Sequence, residues 1–84
     1  MEHFKIKDVL YYYVKYLNKH GGIVYTLDGV SFSIKGESDH GEYRSVDSSN
    51  DALVLNGNNV SSGNNEVIFI PFHAIARVVI NGNL

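Results

Sequence analysis

The segment Glu66–Ile80, EVIFIPFHAIARVVI, limits what this chain can become. It holds two apolar runs, 67–70 and 75–80, joined at Pro71–Phe72–His73–Ala74. The first is β-branched and aromatic throughout, and the second admits one charge, Arg77. Both suit strands and not surface helices. Each run is apolar on both faces, so each needs cover on two sides. A chain of 84 residues is poorly equipped to supply it, because a domain of this size buries only roughly 60–65% of the surface its unfolded chain exposes. The chain has no cysteine, hence no disulfide or thiolate metal site to act as a staple. Close packing and self-association are what remain.

Residues 1–84 read as one domain, with a helix over about 4–19 and strands within about 23–80. Phe4, Ile6, Leu10, Tyr13, Val14 and Leu17 recur at helical spacing, while Lys5, Asp8, Tyr12, Lys15 and Lys19 fall mostly on the opposite side. Lys19 and His20 suit the negative end of the helix dipole, and Gly21–Gly22 is a stop signal. Tyr11–Tyr12–Tyr13 and Tyr16 favour a strand, which is the competing reading. Within a helix, Tyr11 and Tyr12 serve either as amphipathic rings at a packing boundary or as a stacking platform.

Residues 23–27 and 30–35 read as strands about a tight Asp28–Gly29 turn, the second alternating so that one face is wet. Gly36 marks a bend or bulge. Residues 38–51 are polar, with Tyr43, Arg44 and Val46 as a candidate continuation of a strand. Residues 52–55 are a third short strand, and 56–65, NGNNVSSGNN, form a loop. The runs at 67–70 and 75–80 complete five strands of a meander, with Pro71 at a strand end because it has no N–H to donate. One helix followed by five short strands predicts a mainly β fold, a small five-stranded SH3-like barrel.

Composition is ordinary for a globular chain, 44% hydrophobic and 19% charged, which argues against disorder. No apolar run reaches the roughly 18 residues of a membrane span. No uninterrupted apolar core follows the first lysines, so no signal peptide is expected and the expected location is the cytoplasm; the Asn59–Val60–Ser61 sequon is then chance. The net charge of −2 is unevenly distributed. Residues 1–20 carry Lys5, Lys7, Lys15 and Lys19 against Glu2 and Asp8, while the remainder has seven acidic groups against Lys35, Arg44 and Arg77. A polyanion should prefer the helix. The four histidines lack paired spacing with carboxylates, and the acidic segment 39–51 lacks the glycine and ligand spacing of a calcium loop, so no metal or cofactor is expected. There is no Gly-x-Ser-x-Gly elbow and no phosphate-binding glycine loop. The expectation is a protein that is not an enzyme.

The link Pro71–Phe72–His73–Ala74–Ile75, the Asp28–Gly29 hairpin and the acidic residue shortly before a third strand in Asp47–Leu55 resemble the Sm-like family, the LSm and Hfq-like proteins. There the last two strands are linked by a sequence close to Tyr-Lys-His-Ala-Ile, of which His73, Ala74 and Ile75 are kept. The resemblance spans nearly the whole chain as a pattern and implies an Sm-like barrel. It also implies a homo-oligomeric ring of about five to seven subunits, the fourth strand of one pairing with the fifth of the next. The interface would involve Val67, Phe69, Ile70, Val78, Val79 and Ile80, and pairing would cover two edges that otherwise invite uncontrolled association. A monomeric barrel closed by the same strands is the other reading.

The resemblance further implies single-stranded RNA bound around the pore by the loop before the third strand and the turn before the fifth. By position these contribute Asn50, Asp51, Phe72 and His73, with Lys5 and Lys15 as helix cations. An amide reads base edges, and an exposed aromatic ring stacks on any base. His73 is open to a second reading as a buried turn residue, and Phe72 as a packing residue. Phe72 stands where the family pattern has lysine, and Asp51 where it has a neutral or stacking residue. These departures support the alternative of a structural or protein-interaction module on the same scaffold, without RNA.

Overall fold

The computed structural model describes residues 6–38, 41–58, 63 and 65–82. The chain runs through α1 (Ile6–His20), β1 (Gly22–Thr26), β2 (Ser31–Ile34), β3 (Ser45–Ser49), β4 (Ala52–Asn58), β5 (Asn65–Pro71), a 3-10 turn (Phe72–Ala74) and β6 (Ile75–Ile80). The tyrosine-rich segment is helical because its stripe has something to cover. Leu10 and Leu17 are fully buried, and Tyr13 and Val14 pack beside them. Burial of that stripe outweighs the modest helix propensity of tyrosine. Asn18 fastens α1 to β3: its Nδ2 donates to the Val46 carbonyl and its Oδ1 accepts from the Val46 N–H, both at 2.8 Å.

One antiparallel sheet has the order β2-β1-β6, the other β3-β4-β5. In the first, Val24 pairs with Phe32 on one side and Val78 on the other, forming an inward row. In the second, Leu55 lies between Val46 and Ile68, and Leu53 beside Ile70. These rows and the helix stripe share one core containing Leu10, Leu17, Val24, Ile34, Tyr43, Val46, Leu53, Leu55 and Ile70. Gly22 is required where helix and sheet meet, since a Cβ there would overlap the Val79 carbonyl and come within 2.9 Å of Leu17 Cδ2.

The mainly β fold with one N-terminal helix matches the expectation from sequence; the closed five-stranded barrel does not. The described residues form six strands in two three-stranded sheets. The additional strand is β3, a polar SVDSS segment whose strand character comes from backbone pairing with β4 and from Asn18, not from an apolar pattern. The second strand, expected over 30–35 with a bend at Gly36, runs from Ser31 to Ile34. Gly36 takes φ +56, and a Cβ on it would overlap the Leu17 carbonyl, so the chain turns away against the end of α1. It returns at Tyr43, whose carbonyl accepts from Lys35 N at 2.7 Å and whose N–H donates to Ser33 at 3.0 Å. Arg44 N then bonds Asn56 of β4 at 2.9 Å, linking the sheets at that corner. The last two strands do not pair with each other either: the 3-10 turn sends β6 across to β1.

Candidate nucleic-acid interface

Two turns define the candidate site. The first joins β3 to β4 through Asn50 and Asp51, with Ser49 paired to Ala52. Asn50 has φ +52, the left-handed region that asparagine tolerates better than most side chains, so its identity has a conformational cause independent of any ligand. The second is Phe72–Ala74. Pro71 closes β5 opposite Ala52, and Phe72 N donates to the Asp51 carbonyl at 2.6 Å. Asn50, Asp51, Phe72 and His73 are thereby brought to one end of the β3-β4-β5 sheet. Ala74 carries the contact onward, its carbonyl accepting from Leu27 N at 2.9 Å.

The four side chains differ in availability. Asn50, Asp51 and His73 are exposed. Phe72 is half-buried, with its ring stacked on Tyr13 of α1 at 6.3 Å between centroids and 11° between planes. It packs against the core, so the face it turns to Tyr13 is not offered to a base. His73, in contrast, is exposed and is not a buried turn residue. Asp47 and Asp51 are both exposed on this sheet and its turn. Lys15 lies on α1, exposed, with its Nζ 5.4 Å from the centroid of the Tyr16 ring. Lys5 lies outside the described residues, as does the 59–61 sequon.

The six residues expected at a subunit interface divide in two. Ile70 is in the core, and Val78 and Ile80 pack against it. Val67, Phe69 and Val79 face outward: Phe69 is 62% and Val67 60% exposed, on the outer strand of one sheet, and Val79 lies on the outer strand of the other. Between the β1–β2 hairpin and β5 the sheets leave an apolar groove of about 380 Å³, lined by Leu27, Val30, Phe32, Ile68, Phe69 and Ala74 among others. At its rim the Thr26 hydroxyl lies against the Asp28 carboxylate. That contact, with the Val30 N–H 3.4 Å away, holds the Asp28 carboxyl below the ordinary aspartate value.

Sequence reasoning missed Asn18 and the groove. Asn18 offers no local signal, because its partner is 28 residues away. The groove brings the β1–β2 hairpin against β5, residues far apart along the chain, so no local pattern announces it. Among the described residues, no group of three or more His, Asp or Glu is arranged to hold a metal ion, and no helix is long and apolar enough to cross a membrane. No protein-family model, curated protein or solved structure matches the chain.

Proposed function

We propose that this chain is an Sm-like protein that assembles into a ring of about five to seven copies and binds single-stranded RNA at the paired turns. The observation that carries the reading is the bond between the β3–β4 turn and the 3-10 turn, which brings the turns that hold exposed Asn50 and His73 to one end of the sheet. The strand order supports it as well. Outer strands β5 and β6 each carry outward apolar side chains, and pairing of β5 in one copy with β6 in the next would cover both edges and Phe69, Val67 and Val79. Around a ring, each turn pair would be repeated about the axis.

The second reading, a protein-interaction module on this scaffold, is favoured by two observations. Phe72 stacks on Tyr13, and exposed Asp51 adds negative charge at the turn. A carboxylate at each repeat would repel phosphates, whose neutralisation supplies much of nucleic-acid affinity. Light-scattering mass and binding of labelled uridine- or adenine-rich oligonucleotides at low salt separate the two. A defined multimer that binds oligonucleotide supports the ring and its RNA. A defined multimer with no binding at tens of micromolar supports the module, and a monomer removes the ring.

A further inference from the structure

We infer that the solvent face of α1 is itself a binding surface for single-stranded nucleic acid, holding bases on Tyr11 and Tyr12 and phosphates on Lys15 and Lys19. This rests on the reading above for the ligand class, but stands on residues remote in sequence from both turns. The helix buries Leu10, Tyr13, Val14 and Leu17 against the core. At 3.6 residues per turn, the opposite arc then carries Asp8, Tyr11, Tyr12, Lys15 and Lys19, all exposed. Lys15 and Lys19 fall on the arc between Tyr11 and Tyr12. Tyr11 is 60% and Tyr12 50% exposed.

The rings are also organised. Tyr12 and Tyr16 lie 6.2 Å apart and 7° from parallel, and Tyr16 and His20 6.2 Å apart and 15° from parallel. Tyr11 meets Tyr12 edge-on at 5.7 Å. Successive i, i+4 rings thus form a ladder that fixes Tyr12 in place, and exposed Tyr11 and Tyr12 stand beside the cations. This is the combination that holds single strands irrespective of base: stacking on rings and phosphates on lysines. Charge complementarity points the same way. The face carries two lysines against Asp8, whereas residues 21–84 carry seven acidic groups against three basic ones, so a polyanion is drawn here. A lipid surface fits less well, because the apolar stripe that a membrane-lying helix inserts is already buried in the core.

The test uses the full chain, labelled oligo-uridine and oligo-thymidine of about 15 nucleotides, and phosphatidylserine vesicles. Both oligonucleotides should bind. Tyr11→Ala/Tyr12→Ala should weaken binding about tenfold or more, with Tyr11→Phe/Tyr12→Phe restoring it and the oligomeric mass unchanged. Lys15→Gln/Lys19→Gln should flatten the dependence of log affinity on log salt by about 1.4. The chain has six tyrosines and no tryptophan, so bound bases should quench its intrinsic tyrosine emission, and less so in the alanine variant. Wild-type affinity in Tyr11→Ala/Tyr12→Ala overturns the inference, as does binding to vesicles without binding to oligonucleotide. A His73→Ala variant distinguishes the two sites. If it weakens binding and the tyrosine variants do not, the helix inference falls and the turn reading stands; the reverse removes the turns. Absence of any oligonucleotide binding removes both.

Discussion

At the scale of single residues, three polar side chains hold positions that their chemistry alone does not announce. Asn18 makes two 2.8 Å bonds to the backbone of Val46, so it completes the partly buried inner side of a polar strand. Asn18→Ala should cost about 1–3 kcal/mol, since both Val46 groups lose their partner at once; urea unfolding should show a lower midpoint at an unchanged slope. Asp28 is held below the ordinary aspartate value first by the Thr26 hydroxyl and then by the Val30 N–H. A depressed value in the folded state means that the charged form is the stabilising one. The contribution is complete above the ordinary aspartate value and is lost as pH falls through the folded one. Below about pH 4 the thermal midpoint of the wild type should therefore fall more steeply than that of Asp28→Asn; identical acid limbs would detach Asp28 from hairpin stability. Asn50 combines a conformational and a candidate binding role. Asn50→Gly keeps φ +52 accessible and removes only the amide, so folding should be retained while oligonucleotide affinity falls if the amide reads bases. Unchanged affinity would leave Asn50 a turn residue alone.

At the scale of elements, the outer strands are the unusual feature. A strand at a sheet edge presents unpaired backbone groups, and small proteins normally blunt such edges with charge, proline or cover. Here β5 ends in Pro71, and β6 carries Arg77 over the Tyr25 ring at 4.5 Å, yet Val67, Phe69 and Val79 remain outward. Because these side chains already lie outside the core, Phe69→Asp and Val79→Asp should leave the circular dichroism spectrum intact while abolishing self-association. An unchanged multimer by light scattering would rule out these faces as the contact. The helix shows the complementary case. Its apolar stripe was readable from spacing, and the structure buries that stripe while leaving the tyrosine–lysine face open.

At the scale of the molecule, one core ties the helix to both sheets, through Leu10 and Leu17 from α1, Val24 from β1 and Leu53 and Leu55 from β4. Leu53 is fully buried, so Leu53→Ala should cost about 2–5 kcal/mol. That is of the order of the whole stability of so short a chain. Helical and strand signals should therefore be lost together in that variant, and separate transitions would mean that the helix is an independent appendage. Charge is divided on the same scale, with lysines on the helix and carboxylates on the sheets and their turns.

The strands formed by the apolar runs were legible in the sequence because β-branched, two-faced runs have few other places to go, and the amphipathic helix because its buried stripe is a local periodicity. The pairing of the 49–52 and 71–74 turns was legible only as a resemblance, since a bond from Phe72 to Asp51 joins residues distant along the chain. A bend at Gly36 and a strand around Val46 were also legible; what the tertiary structure alone decided is that β2 and β3 fall in two different sheets. The SVDSS segment is a strand because β4 and Asn18 satisfy its backbone, and the second strand stops because Gly36 must pass close under the end of the helix. Local pattern reports what a segment prefers to bury; it carries no record of which distant backbone will meet it. That meeting turned an expected barrel into two sheets around a groove.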